Sequence, residues 1–152
     1  MYILIPVTTL IAKAGKNKIT AILPIWNKIK EILYPYNPSS KNYKLWKKYY
    51  SGATSLFSIV IKSRKKSSVI KFVNSLELFG IGYSWGGFES LALHQSNLEI
   101  GKRNYLKLEK DEHLVRLHIG LEDAKDIIND IKQALKHLKW ILKKNFSNQI
   151  LQ

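Results

Sequence analysis

Hydrophobic and polar residues alternate along the chain with two different periods, which together predict short strands and helices. Residues 55–62 (SLFSIVIK) and 113–119 (HLVRLHI) alternate and are rich in β-branched side chains, which predicts two strands. Residues 79–93 place glycines and aromatic residues between apolar runs, which predicts a strand, a loop and another strand. Gly120 is predicted to end the strand that precedes it.

Apolar residues three or four positions apart predict helices between these strands. Three predicted helices cover residues 24–33, 68–78 and 122–144, and Ser67 and Ser68 could cap the second of them. A further helical segment carries an aromatic stripe made of Tyr43, Trp46, Tyr49 and Tyr50. We expect the aromatic stripe to pack in the core rather than to stack on bases. In 122–144, acidic residues near the start and lysines near the end suit the helix dipole.

Strands mixed with flanking helices predict an α+β fold, in which helices pack on one face of a small, mainly antiparallel sheet. The 152 residues are enough for one domain with a real core. The break at 34–40, which holds two prolines, is the predicted linker.

Basic residues are concentrated in the first half of the chain, and the net charge is +14. Residues 1–72 hold fourteen basic residues and one acid, Glu31. Such a half could bind nucleic acid or an anionic membrane. However, lysine far outnumbers arginine, and Ile, Asn and Tyr are also plentiful, so A/T-rich codons could explain the charge. A dedicated phosphate binder would use more arginine, so nucleic acid is not the partner we favour.

The chain has no cysteine, which excludes disulfides, thiolate metal sites and cysteine nucleophiles and fits a cytoplasmic protein. The apolar run at 1–12 is shorter than the roughly 20 residues that span a bilayer. Its lysines follow the run rather than precede it, so neither a signal peptide nor a membrane anchor is predicted. The four histidines do not have the spacing of zinc ligands.

Two features could carry chemistry. The first is Tyr83-Ser84-Trp85-Gly86-Gly87, where paired glycines allow close approach and the aromatic residues could wall a pocket. An ordinary hairpin with two packed aromatic residues is the alternative.

The second feature is Arg116. Strand alternation places Leu114, Arg116 and His118 on one face and the intervening apolar residues on the other. Arginine can make two parallel hydrogen bonds to a carboxylate, which lysine cannot do. A solvent-facing arginine on the wet face of a strand is the alternative.

These features belong to an ordered series of motifs that resembles the Cys/Met-metabolism enzymes dependent on pyridoxal phosphate. The series is EILYPYNPSS (31–40), KLWKKYYSGATSLFSIVIK (44–62), NSLELFGIGYS (74–84), GYSWGGFESLAL (82–93) and HLVRLHIGLEDAKDIINDIKQAL (113–135). It is most similar to the C-terminal domain of bacterial cystathionine β-lyases, although γ-lyases and synthases share most of the motif. The resemblance implies a poorly matching segment or linking helix at 1–30, the small domain at 31–144 and a tail at 145–152.

In such enzymes the strand arginine, here Arg116, holds the substrate's α-carboxylate. The resemblance places Ser84 and Trp85 beside it at the mouth of the site, and Tyr83 with them. The family reaction is an α,β-elimination in trans-sulfuration and methionine biosynthesis. It converts cystathionine to homocysteine, pyruvate and ammonia, with the cofactor as electron sink.

The chain departs from the family in one large respect. The family's cofactor lysine lies in a Ser-x-Thr-Lys segment of a large domain, and no Thr-Lys pair occurs in these 152 residues. We therefore expect no catalytic lysine, no bound cofactor and no activity from the chain alone. Two hypotheses follow within the family: a truncated remnant, or half of a split enzyme completed by a separately encoded large domain. A basic nucleic-acid-binding module stays as the less favoured alternative. The family is homo-oligomeric, and the uncovered inner face is expected to expose an apolar patch.

Overall fold

The computed structural model of the chain describes residues 29–35, 37–38, 40–51, 54–84, 87–95 and 106–138. Strands and helices alternate in the first half of this part, and strands dominate the second. The elements are β1 (Ile29–Leu33), α1 (Tyr43–Tyr49), β2 (Leu56–Lys62), α2 (Lys66–Asn74), β3 (Gly80–Ile81), β4 (Leu91–Gln95), β5 (Glu112–His118) and α3 (Ala124–Leu135). The predicted α+β class is confirmed.

The five strands form one sheet with the order β1-β2-β5-β4-β3. The pairs β1–β2, β2–β5 and β4–β5 are antiparallel, whereas the short β3 runs parallel to β4. The mainly antiparallel sheet is therefore as predicted. Because β3 and β4 are parallel, the glycine-rich segment between them is not a hairpin, and that alternative is wrong.

One face of the sheet packs against α2 and α3 and forms the main core. The residues that meet there are almost fully buried, and each of the larger aliphatic and aromatic side chains contributes about 1.5–3 kcal/mol by leaving water. They include Ile59 and Ile61 of β2, Val115 and Leu117 of β5, Val69, Phe72 and Val73 of α2, and Ile127, Ala134 and Leu135 of α3.

The opposite face of the sheet carries no helix of this core. A smaller apolar cluster of Val60 and Leu114, with partly buried Leu33, Leu106 and Leu108, covers one end of it. Arg116 lies further along β5 on this face and is half-buried, while its neighbours in β5 are buried. The predicted alternation along β5 is therefore confirmed, and it leaves Arg116 on the more open face.

The helix predicted over 24–33 is wrong where the structure describes it, because residues 29–33 form β1. Ile29 pairs with Ile61 and Ile32 pairs with Ile59, although the two β1 residues are three positions apart. The register shifts just after Ile29, as in a β-bulge, which adds one residue between two side chains of the same face. A spacing of three then imitates the helical period. Residues 24–28 lie outside the described part.

A partly buried ion pair connects β1 to the start of β5. The ammonium nitrogen of Lys30 lies 2.6 Å from a carboxylate oxygen of Glu112, whose side chain is almost fully buried. Burial alone would raise the pKa of Glu112, but the hydrogen bonds from Lys30 and from the Glu109 N–H outweigh it and lower the pKa. The buried carboxylate of Glu112 is therefore kept charged.

The two core helices are shorter than predicted. The helix predicted at 68–78 runs from Lys66 to Asn74, and no side chain caps its N-terminus. The helix predicted at 122–144 begins after Asp123, whose carboxylate accepts the Lys125 N–H at 2.7 Å, and ends at Leu135. Residues beyond 138 lie outside the described part. No helix in the described part has the length and apolar composition needed to cross a membrane.

The aromatic stripe on α1 does not join the core, so that expectation is wrong. None of the residues of α1 is buried. Tyr43 and Trp46 stack on each other with ring centroids 5.9 Å apart. Tyr49 and Tyr50 are 64% and 65% exposed. Helical spacing predicted the helix correctly, but spacing alone could not tell whether its apolar face is covered.

A buried carboxylate on α3 fixes the chain that leads from α2 into β3. Asp130 accepts the Glu77 N–H at 2.9 and 3.1 Å and the Leu78 N–H at 2.8 Å. It also accepts a hydrogen bond from the side chain of Gln133. These bonds satisfy backbone donors that no strand or helix pairs, and they position the start of β3.

His94 on β4 should make folding sensitive to mild acid. Burial, then His113 and Lys66, lower the pKa of His94 below 6.5, and its Nε2 has no hydrogen-bond partner among the described residues. The unfolded chain therefore takes up the proton first, so stability should fall as pH drops below about 6.5.

The measurement is the free energy of unfolding by urea between pH 7.5 and 5.5 in a His137→Gln background, since the pKa of His137 is also lowered. His94→Gln should flatten the dependence on pH. An unchanged slope would show that His94 does not cause it.

Candidate functional site

Arg116 lies in the middle of the sheet, on the face opposite the core helices. In register, it stands between Ser58 of β2 and Leu93 of β4. Its guanidinium extends toward the segment that follows β3, because its Nη2 donates to the carbonyl oxygens of Gly82 and Ser84 at 3.1 Å each. The sheet and this loop together therefore position the guanidinium.

These two hydrogen bonds occupy one nitrogen of the guanidinium. Among the described residues, no hydrogen bond involves Nη1 or Nε of Arg116. Nη2 is the nitrogen shared by both edges of the guanidinium that offer parallel N–H groups, so an anion would meet Nη1 and Nε as two separate donors. The arrangement can therefore orient the arginine and still leave two donors for an anion.

The other predicted site residues follow β3 directly. The Tyr83 ring lies 5.9 Å from the guanidinium carbon of Arg116, a distance at which a cation is attracted to an aromatic face. Ser84 contributes its backbone carbonyl, as described above. Both side chains are exposed. The structure thus brings Arg116, Tyr83 and Ser84 together, whereas Trp85 lies outside the described residues.

Several large apolar side chains near this site are exposed. We call Ile81, Tyr83, Phe88 and Leu121 the apolar rim; they are 65%, 68%, 68% and 60% exposed. Phe88 and Leu121 come from different segments and are joined by a backbone hydrogen bond of 2.8 Å. An exposed apolar patch was expected on a small domain without its large one.

A second network connects the same loop to the end of β5, and the sequence did not reveal it. Ser90 is fully buried, and its N–H and hydroxyl both donate to the carboxylate of Glu122 at 2.8 Å. The Ser90 hydroxyl also accepts the Gly120 N–H at 2.9 Å. From the sequence, Glu122 was expected to interact with the dipole of the following helix. The only sequence signal was the Gly120 that ends the strand.

His118 makes a third connection beside the site. Its Nδ1 is 3.0 Å from the hydroxyl of Ser55, and its Nε2 is 3.5 Å from the carbonyl of Gly87. The imidazole is 2% exposed, so it joins two segments beneath the loop rather than facing solvent. Among the described residues, no three carboxylate or imidazole groups lie close enough together to hold a metal ion.

The residues of this site lie in a segment that matches a known family. Residues 11–136 match the family described as "Cys/Met metabolism PLP-dependent enzyme". The chain belongs to this family. The resemblance stated from the motifs is confirmed.

Individual relatives agree with the family but differ in their named activities. The chain is 39% identical to the cystathionine beta-lyase of Bordetella avium over 104 residues, and 35% identical to the L-alanine/L-glutamate racemase of Wolbachia pipientis wMel over 113 residues. These alignments cover 68% and 74% of the chain but only 26% and 28% of the relatives.

The fold agrees with a solved structure of the family. The crystal structure of metB from Corynebacterium glutamicum superposes with a TM-score of 0.62 at 27% identity. It covers 81% of this chain, which in turn covers 32% of that one. The chain therefore spans between a quarter and a third of the length of the proteins that it matches.

The residues around Arg116 do not fit pyridoxal phosphate. Among the described residues, the guanidinium interacts with two carbonyls and an aromatic ring, and its neighbours in the sheet are Ser58 and Leu93. None of these is a lysine, and the cofactor of such enzymes requires a lysine amine to form its imine. We therefore derive no chemical step through the cofactor from these residues.

Proposed function

We propose that the chain supplies the substrate-carboxylate site of a cystathionine β-lyase-type enzyme and has no lyase activity alone. The observation that carries the proposal is the geometry of Arg116. Two backbone carbonyls hold its Nη2, while Nη1 and Nε stay without a hydrogen bond to any described residue. An α-carboxylate would accept a charge-assisted hydrogen bond from either of these nitrogens. Amino acids such as cystathionine carry this group.

In this proposal the neighbouring residues help Arg116 in separate ways. Ser84 orients the guanidinium through its carbonyl, and the Tyr83 ring lies at a distance that attracts its positive charge. Trp85 is proposed from the family motif to line the same mouth. The reaction of the assembled enzyme would be the elimination of cystathionine to homocysteine, pyruvate and ammonia. The absence of cysteine fits a cytoplasmic location.

A second proposal is that a separate cofactor-binding part completes the enzyme. The apolar rim supports it, because its four large apolar side chains are at least 60% exposed. Burying such side chains against a partner would add roughly 1.5–3 kcal/mol each. The relatives are also about three to four times longer than the match, so most of each one lies outside the matched segment.

The test is to add the full chain to the remaining part of the Bordetella avium cystathionine beta-lyase, expressed without its matching segment. We expect no pyruvate from L-cystathionine with either part alone, and pyruvate when both are present. Pyruvate from the chain alone would contradict the proposed inactivity. A mixture that neither associates nor releases pyruvate would contradict the proposed partnership. If the mixture racemises L-alanine and releases no pyruvate, the proposed lyase activity is wrong and the assembled enzyme is a racemase.

A further inference from the structure

In its described residues, the loop between β3 and β4 is held by hydrogen bonds. It follows Ile81 and ends at Ser90, and within it Gly87, Phe88 and Glu89 are exposed. Near its start, the carbonyls of Gly82 and Ser84 accept from Arg116. Because these three residues are exposed, we infer that the orientation of Arg116 depends on what fixes the loop's other end.

Glu122 fixes that other end. One carboxylate oxygen accepts the Ser90 N–H and the other accepts the Ser90 hydroxyl, both at 2.8 Å. The hydroxyl oxygen in turn accepts the Gly120 N–H. Both polar hydrogens of the fully buried Ser90 and the N–H of Gly120 are therefore hydrogen-bonded. Without the carboxylate, two donors of Ser90 would be buried without a partner, which is costly.

The segment that carries Glu122 continues directly from the strand that carries Arg116. The Leu121 N–H donates to the Phe88 carbonyl at 2.8 Å and brings the two backbones together. The loop is thus fastened to β5 and its extension near its start by Arg116, and toward its end by His118, Leu121 and Glu122. If the end is released, the two carbonyls at the start can no longer hold the guanidinium in one orientation.

We propose that Glu122 is a positioning residue that acts through Ser90 on the loop and so orients the guanidinium of Arg116. The proposal rests on the proposed function for its purpose, since an oriented guanidinium serves carboxylate binding. Glu122 itself need not touch the substrate.

The test uses the full chain labelled with ¹⁵N, in which only three arginines give side-chain Nε–Hε signals (Arg64, Arg103 and Arg116). The heteronuclear NOE of Arg116 Nε reports how rigid the guanidinium is, and hydrogen exchange of the Ser90 N–H reports the loop end. Glu122→Gln should lower the NOE toward that of the exposed Arg64. It should also speed exchange at Ser90 by roughly tenfold or more, the factor for losing a hydrogen bond to a charged group.

The matched control is Glu89→Gln, which makes the same chemical change at an exposed position of the same loop. It should leave both readouts unchanged. Ser90→Ala is the second variant, because it removes the hydroxyl but keeps the carboxylate; it should lower the Arg116 NOE in the same direction.

The outcomes separate the two proposals. Faster exchange at Ser90 with an unchanged Arg116 NOE, or loss of the fold in both Glu122→Gln and Ser90→Ala, would make Glu122 a structural residue and overturn the inference. Adding L-cystathionine to the unsubstituted chain tests the proposed function separately. If the Arg116 signal does not shift, carboxylate binding fails, while the NOE comparison still decides whether Glu122 orients Arg116.

Discussion

Replacing Arg116 with lysine should lower kcat/KM for L-cystathionine by about 10- to 150-fold in an enzyme assembled from this chain and the remaining part of the Bordetella avium relative. The factor corresponds to about 1.5–3 kcal/mol for hydrogen bonds to a charged group. An ammonium keeps the positive charge but has a single nitrogen, so it cannot hold the carbonyls of Gly82 and Ser84 and also offer two further nitrogens as donors to a carboxylate. Pyruvate release against substrate concentration measures the effect.

The control for this substitution is Arg64→Lys, which makes the same change at an exposed position in the turn after β2. It should leave kcat/KM unchanged. In the chain alone, calorimetric titration with L-cystathionine should show binding that Arg116→Lys weakens and Arg64→Lys does not. If Arg116→Lys retains full activity and binding, the carboxylate must be held by other residues, and the proposed role of Arg116 is wrong.

The strands that carry Arg116 could be predicted from the sequence because their pattern is local. Alternation in 55–62 and 113–119 gives β2 and β5 within one residue at each end, and it gives the face of Arg116. A fold with helices on one face follows from the same patterns. What alternation could not give is the partner of each strand, since pairing depends on contacts far apart in sequence.

The helix prediction at 24–33 failed for a related reason. A bulge after Ile29 changes the spacing of inward residues from two to three, and only the pairing with β2 reveals the bulge. The aromatic stripe of α1 failed because spacing reports a face but not whether anything covers it.

The residues that support the candidate site could not be predicted from the sequence either. Arg116 and the motif around Ser84 could be found by residue type and by resemblance. Glu122 could not, because it stands 32 residues from Ser90 and lies beside a helix start, where an acid already has an ordinary explanation. A polar network of this kind is recognised only when its distances are known.

Gly120→Ala should destabilise the chain by about 3 kcal/mol, at the upper end of the usual cost of overpacking. A Cβ at this position would lie 2.2 Å from the carbonyl oxygen of Phe88 and 2.6 Å from the carbonyl carbon of Glu89. These are backbone atoms, so the loop itself must move. The Glu122 carboxylate, 2.5 Å away, would have to move with it. Thermal unfolding should show a loss of about 6–12 °C in Tm.

Gly82→Ala is the matched control, because it makes the same change in the same loop, where a Cβ would meet only the Leu91 side chain at 3.6 and 3.8 Å. That is ordinary van der Waals contact, so the free energy of unfolding should change by no more than about 1 kcal/mol. Alanine also has less conformational freedom than glycine in the unfolded chain, which favours folding. If Gly120→Ala is as mild as Gly82→Ala, the end of β5 and the loop cannot be in close backbone contact. The loop would then be free to move, and the orientation of Arg116 would have to come from the sheet alone.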